Sequence, residues 1–557
     1  MNKTLKSFLI VFPFYFGIIL LVTWGMFSSY FQQDEWMGFA SIIRSYNLPW
    51  WDIFVPGTMH FAPLGVLFWS VMYHLFKLQA QYYVLVGLLI HTSVTALVFV
   101  LTARLTKNKM IALIAGLLFL LNGRAHQGFT HLAIFHSTDT TMFFIVLFFV
   151  YLANIKDKFL SFKNTLILYL IFLAAIGFRE EGFIVIPGFW AYLLAFDKAK
   201  LNKRNMLHFF LLGVGLVAFL AFRFFAQTLY ADPIPVQYQA SSDRAVYNLA
   251  TIPIKMVVQN IIYYQEIAIF FLKHHEKIYP GMVKNIYLDN APLMDVAYFY
   301  IFSLLSCIVA IWMWAIHPKK IGSFLVFFAV LIVSNAFILS FVGFPIFTLE
   351  PRYLYYSAFP VFCIIAIFMY TVFVSKSRYR SFDFLKRIFV VALFIVLLTT
   401  SYKQIRVAVD QQIRDGVVKK KILASLRQVH PTLSKNTIFY VQCRIKCYRN
   451  GELGLPLENV LPFPSGPGMV MLVMYSQGQE KEWGDFFVHY FLFHTFSEDY
   501  KKIGDRSFGY FTTKQKLEAA LKKNKILKET VVALEYNEEN YTLKDISKSF
   551  RKTLQVK

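Results

Sequence analysis

Eleven apolar runs, each of bilayer-spanning length or close to it, govern what this chain can fold into. They lie near residues 8–30, 81–103, 110–124, 139–154, 164–178, 182–197, 207–226, 292–316, 321–344, 352–374 and 387–401. A helix rises about 1.5 Å per residue, so about 20 apolar residues cross the ~30 Å hydrocarbon layer, and flanking residues lengthen the shorter runs. With 57% hydrophobic residues and a mean hydropathy of +0.51, the chain reads as an all-α polytopic membrane protein rather than a water-soluble globule. A further stretch, Ala62 to Lys77, opens with Pro63, contains Gly65 and is short. It reads as a juxtamembrane or re-entrant helix.

Charge sets the orientation. With 62–77 not crossing, the loops on the N-terminal side (1–7, 104–109, 155–163, 197–206, 317–320 and 375–387) hold 19 Lys and Arg. The opposite short loops hold five: Arg44, Lys77, Arg124, Arg179 and Arg352. Basic residues accumulate in cytoplasmic loops, so the N-terminus is expected inside and the C-terminus outside. The net charge of +24 is then a topology signal and not a nucleic-acid surface. The first run follows Lys3 and Lys6 but exceeds 20 residues and lacks an Ala-x-Ala site, so it reads as retained rather than cleaved.

Two larger segments are expected outside. Residues 227–291 form a long loop in which Met256 to Leu272, interrupted by Gln259, Asn260, Gln265 and Glu266, suits an interfacial helix. Residues 402–557 lose membrane character and read as a small α/β domain, with a strand at Ile438 to Gln442, a Pro/Gly loop at Pro462 to Pro467 and a helix from Lys514 to Lys528. Of the four cysteines, Cys307 and Cys363 lie in apolar runs and read as packing groups. Cys443 and Cys447 would sit ~13 Å apart on a straight strand, so bridging them requires a turn; a disulfide and two free thiols both stay open.

The outer loops gather the chemistry. Asp34-Glu35 follows the first run, and His60, His126, His131, His136, Asp139, Arg179-Glu180-Glu181 and Glu350-Pro-Arg352-Tyr353 each sit within a few residues of a span end. Helix ends are rigid mounts, so such groups can converge on one cleft. Adjacent carboxylates suit a general base or a grip on a polar substrate. Plainer readings exist for each: a helix cap for Asp34-Glu35, an interfacial ion pair for Arg179 and its neighbours, a snorkelling Arg352. The five-residue spacing of His126, His131 and His136 fits no standard metal-ligand pattern.

Taken in order, these fragments resemble the GT-C class of polytopic glycosyltransferases, the protein O-mannosyltransferase-like and aminoarabinose-transferase-like group. The likeness is closest to the subfamily often fused to tetratricopeptide repeats. It rests on Asp34-Glu35, Phe61-Ala-Pro-Leu-Gly, Leu88-Leu-Ile-His91, Asn122-Gly-Arg-Ala-His126 leading to His136 and Asp139, Phe178-Arg179-Glu180, and Pro351-Arg352-Tyr353-Leu354-Tyr355. It runs over most of residues 1–374. No tetratricopeptide repeat follows, and Asp139 lies beyond a His-rich loop rather than in a tidy acidic motif.

The resemblance implies transfer of a sugar from a polyprenyl-phosphate carrier to a protein, lipid or polysaccharide acceptor at the outer face of the cell (cytoplasmic) membrane. It implies Asp34 as base with Glu35 positioning, Arg179 and Arg352 on phosphate, and His60, His126, His136, Asp139, Glu180 and Tyr353 lining the substrate. The leaving phosphate is already a stable anion, so no metal is required, although a divalent ion on Asp34 and Asp139 is compatible. A transporter or lipid flippase would place its ionisable groups mid-membrane at broken helices. A surface-polysaccharide polymerase or ligase would have no need of the early acidic pair, and a receptor-like scaffold would work through residues 402–557.

Overall fold

The computed structural model describes residues 3–32, 34–48, 62–155, 161–196, 203–230, 242–261, 318–340, 351–376, 379–443, 461, 463, 466–487, 498–537 and 539–555. The expected span at 292–316, half of the Pro/Gly loop (462, 464 and 465), His60, Glu350 and Cys447 lie outside them. Helices come in the order α1 (Lys3–Val22), α2 (Asp34–Ser45), α3 (Pro63–Phe76), α4 (Ala80–Thr106), α5 (Lys109–Leu120), α6 (Gln127–Thr130), α7 (Thr138–Asn154), α8 (Phe162–Phe178) and α9 (Val185–Phe196). They continue with α10 (Lys203–Tyr230), α11 (Ser242–Ile261), α12 (Pro318–Ser340), α13 (Pro351–Val374), α14 (Arg380–Val429), α15 (Pro467–Tyr475), α16 (Glu480–Trp483), α17 (Lys514–Asn524) and α18 (Ser547–Arg551).

Among the described residues, Thr4–Val22, Ala80–Thr106, Ile321–Ser340 and Arg352–Val374 are long and apolar enough to cross a membrane. Shorter apolar helices accompany them at Pro63–Phe76, Lys109–Leu120, Thr138–Asn154, Phe162–Phe178 and Leu212–Phe225. The chain is thus mostly helical with one small sheet. It divides into two compact units: residues 1–24, 54–65 and 86–408 form one, and residues 25–53, 66–85 and 409–557 the other.

In the first unit, α7 packs on α8, α12 on α9 and α13, α11 on α12 and α13, and α13 on α5. Several hydroxyls within the apolar helix α4 are satisfied locally. Thr92, Ser93 and Thr95 donate to the carbonyls of Leu88, Leu89 and His91, as a low-dielectric surround demands. Asn108 caps α5, its side chain accepting from the amides of Met110 and Ile111 at 2.8 and 3.3 Å. The first run was expected to reach residue 30, yet α1 stops at Val22. Arg406 donates to the carbonyls of Val22 and Trp24 at 3.2 and 2.8 Å, satisfying acceptors that the helix end leaves orphaned. Helix α11 begins earlier than the interfacial helix expected from Met256, and Asn248, Ile252, Met256, Gln259 and Asn260 on it are buried.

In the second unit, five strands line up as β2-β3-β1-β4-β5, with β1 at Asn436–Cys443, β2 at Asp499–Ile503, β3 at Arg506–Phe511, β4 at Val531–Asn537 and β5 at Thr542–Asp545. Strand β1 is central and parallel to β3 and β4, while β2 and β5 close the edges antiparallel. Alternating Ile438 and Tyr440 face Leu517, Leu521 and Phe550 from α17 and α18. The helix expected to reach Lys528 ends at Asn524, because Lys525 takes a left-handed conformation with φ 52°. Helix α14 carries the last expected span and then continues to Val429, so residue 402 falls inside a helix rather than at a boundary.

Candidate active site

The first unit builds a buried polar cluster from helix ends. Chain leaving α8 turns at once into a short 3-10 helix, Glu180–Ile184. Gly182 makes this possible: a Cβ there would stand 2.5 Å from the Ala175 carbonyl carbon, so only hydrogen lets the turn fold back on α8. The turn aims Arg179 inward. Its Nε pairs with Glu181 Oε2 at 2.8 Å, and its Nη1 donates to Thr138 Oγ1 at 2.8 Å. Glu180 pairs with Arg223 of α10 at 3.4 Å.

Burial works against the charge on Arg179, but the Glu181 and Glu180 carboxylates outweigh it and hold the guanidinium firmly ionised. Tyr353 lies within electrostatic reach of Arg179, and Arg352 stacks over the Tyr353 ring, 5.2 Å from its centroid. The His136 ring edge comes to within 3.6 Å of where a Cβ on Gly65 would stand. Burial, followed by the Arg179 charge, pushes the His136 pKa down to about 3, so the ring is neutral at ordinary pH.

Asp139 is fully buried in the first turn of α7. Gly128 faces it, and a Cβ there would stand 2.8 Å from Asp139 Oδ1 and 2.5 Å from the Tyr355 ring. Tyr355 is held in turn by His91. The His91 Nε2 donates to the Leu120 carbonyl at 3.1 Å, leaving Nδ1 to accept from the Tyr355 hydroxyl at 2.7 Å.

Beside it runs an amide chain. Asn122 donates to Asn260 at 2.7 Å, Asn260 donates to Ser357 at 3.0 Å, and Asn122 accepts from the Arg124 amide at 3.0 Å. His126 Nδ1 donates to the Gly123 carbonyl at 2.6 Å. Burial, with help from Arg124 and His131, lowers the His126 pKa.

This unit therefore brings His136, Asp139, Arg179, Glu180 and Tyr353 together, with Arg352 stacked beside them. Glu181, expected among the converging outer-loop groups, aims the arginine together with Thr138, and His91 and Tyr355, which sequence reasoning named only within motifs, flank Asp139. Sequence reasoning singled out neither Thr138 nor Arg223, which pairs with Glu180. Arg223 carried a usable signal, since a charge inside an apolar run is rarely idle. Thr138 carried none.

Asp34 and Glu35 belong to the second unit, at the start of α2. Glu35 is fully buried, and its Oε2 accepts from the Gln32 amide at 3.1 Å. That contact ties the first turn of α2 to the chain just before it. Asp34 is part-exposed. Among the described residues, no group of three or more His, Cys, Asp or Glu is arranged to hold a metal ion.

No protein-family profile and no curated protein matches this chain. Solved structures do. ArnT from Cupriavidus metallidurans bound to undecaprenyl phosphate aligns over 77% of this chain and 82% of its own, with 12% identity and a TM-score of 0.42. The apo state of the same protein aligns over 79% and 83%, with 13% identity and a TM-score of 0.41. The archaeal oligosaccharyltransferase AglB from Archaeoglobus fulgidus, in complex with an inhibitory peptide and a dolichol-phosphate, aligns over 72% and 56%, with 14% identity and a TM-score of 0.36.

Proposed function

We propose that this chain is a membrane glycosyltransferase that moves a sugar from a polyprenyl-phosphate carrier to an acceptor at the outer face of the cytoplasmic membrane. The observation that carries the reading is Arg179. It is a buried, permanently charged guanidinium whose direction is set by Glu181 and Thr138, with Tyr353 and a neutral His136 within electrostatic reach. A guanidinium held charged and fixed in this way is suited to neutralising a phosphate anion.

In the proposed step, Asp34 takes the proton of the acceptor's nucleophile as that atom attacks the anomeric carbon. The bond from that carbon to the phosphate oxygen breaks, and polyprenyl phosphate departs as an anion neutralised by Arg179 and Arg352. His60, His126, His136, Asp139, Glu180 and Tyr353 line the sugar and phosphate on this reading, and Glu35 fixes the turn that carries the base. The chemistry needs no metal, because the leaving group is stable without one. The residues of 62–77 are proposed to border the polyprenyl tail, and residues 402–557 to lie outside the membrane.

Asp34→Asn tests the reading. Glycan profiles of membranes and exported proteins should lose the product while expression and insertion stay intact. Wild-type profiles in that variant would remove the proposed base, and with it the reaction.

A further inference from the structure

The acidic turn is seated on α14, a helix more than 300 residues later in the chain. Residues 25–32, which lead into α2, run along one face of that helix. A Cβ on Gly25, where φ is +89°, would stand 3.0 Å from Ile413, and a Cβ on Gly416 would stand 2.5 Å from the Tyr30 amide nitrogen. Lys420 donates to the Ser28 carbonyl at 3.1 Å and lies over the Tyr30 ring, 5.5 Å from its centroid. Lys419 donates to the Gln32 carbonyl at 2.9 Å and to the Gln32 side-chain oxygen at 2.6 Å. Ile413, Gly416 and Lys419/Lys420 recur at three- and four-residue steps, which places them on one helix face.

Gln32 is the hinge of this arrangement. Its backbone amide donates to Glu35 at 3.1 Å, and its side-chain amide donates to the carbonyls of Tyr30 and Gln412 at 2.8 and 3.2 Å. Bonds to Glu35, Tyr30, Gln412 and Lys419 thus meet at one residue beside the start of α2, and Lys419 grips that residue twice. Lys419 is itself 6% exposed. Burial pulls its pKa down to about 8, against the attraction of Asp415 and Glu35. A buried ammonium is expensive unless every proton finds an acceptor, so its retention here calls for a purpose.

We propose that Lys419 is a positioning residue that fixes the Gln32–Glu35 turn, and through it the carboxylate of Asp34, so that the C-terminal segment controls the proposed glycosyl transfer. The inference rests on Asp34 acting as the base. It assigns a role to a residue outside the span of the family resemblance, and it makes α14 part of the catalytic apparatus without touching substrate.

The test uses the full-length chain in a host deleted for its gene. Initial rates of glycan appearance are compared for wild type, Lys419→Gln, Lys419→Arg, Asp34→Asn and the Lys419→Gln/Asp34→Asn double variant. Amide hydrogen exchange is followed in residues 25–40 and in the β1–β5 sheet. A displacement of about 1 Å in a catalytic group lowers turnover by about a hundredfold, and that loss is expected for Lys419→Gln. Lys419→Arg should restore most of the rate, and the double variant should be no slower than Asp34→Asn alone.

Exchange should rise in residues 25–40 with the sheet unchanged, which separates local displacement from misfolding. Wild-type rates in Lys419→Gln with Asp34→Asn inactive would overturn the positioning role and leave the transferase reading standing. So would unchanged exchange in residues 25–40, whatever the rate. An active Asp34→Asn would overturn both.

Discussion

Gly128→Ala separates a geometric defect from a stability defect. Gly128 is buried in the four-residue helix α6, and its added methyl would stand 2.5 Å from the Tyr355 ring and 2.8 Å from Asp139 Oδ1. Ordinary contact begins near 3.4 Å, so one partner must retreat by 3.4 − 2.5, about 0.9 Å. Tyr355 has little room to do so: its hydroxyl is bonded to His91 at 2.7 Å, and Phe119 lies across its ring at 5.4 Å between centroids.

Overpacking a tight interior costs about 1–3 kcal/mol, and replacing glycine by alanine in a helix returns up to about 1 kcal/mol. Net destabilisation is therefore about 0–3 kcal/mol. Transfer should nevertheless fall by about a hundredfold, since a shift of that size spoils catalytic alignment. Initial transfer rate and detergent-solubilised melting temperature are measured side by side. Gly213→Ala serves as control, because a Cβ there meets nothing within 4 Å and should change neither quantity. A Gly128→Ala chain that transfers at the wild-type rate would refute any role for Asp139 and Tyr355 in the site.

Arg179→Ala and Arg352→Ala should each weaken use of the lipid-phosphate donor more than use of the acceptor, read as separate Michaelis constants; equal losses would mark these arginines as structural. Glu181→Ala leaves the buried Arg179 without its 2.8 Å partner, so a loss of about 3–5 kcal/mol is expected by thermal melting, with Glu181→Gln milder. Asn260→Ala removes one bond each from the buried Asn122 and Ser357 at about 1–3 kcal/mol, seen as faster amide exchange over residues 122–130.

Acid should loosen the C-terminal sheet through Glu498. Burial alone would raise its pKa, but the Thr512 hydroxyl and amide and Lys516 outweigh it, so the folded value lies below the ordinary 4.5. A carboxylate lowered by folding stabilises fully above its unfolded value and loses that contribution as pH falls through the folded one. Melting temperature should therefore drop below about pH 4.5, and Glu498→Gln should flatten that slope.

Hydropathy made the apolar helices legible but placed their ends poorly, because it reports affinity for lipid and not backbone conformation. The first run extends through Tyr30, yet helix α1 gives way at Val22, before a left-handed Gly25. Conversely, α14 outlasts its apolar stretch to Val429, since Gln, Arg and Lys favour helix in water as Leu does in lipid. Loop chemistry was legible where partners are close in sequence, as with Arg179 and Glu181. It was opaque where they are distant: nothing in Asp34-Glu35 announces Lys419, and nothing in the loop after α5 announces Asn260. Glu35 read as positioning the acceptor or the base, with a helix cap as the plainer alternative, and its observed bond is to the Gln32 amide three residues back.

The sheet's two outer strands carry a consequence for self-association at high local density. Strand β2 is five residues long with Lys501 and Lys502, and β5 is four long with Lys544 and Asp545. Short borders studded with ammonium groups repel a second copy that tries to zip on by main-chain pairing. High local density of this chain should therefore not seed β-aggregates from its C-terminal part.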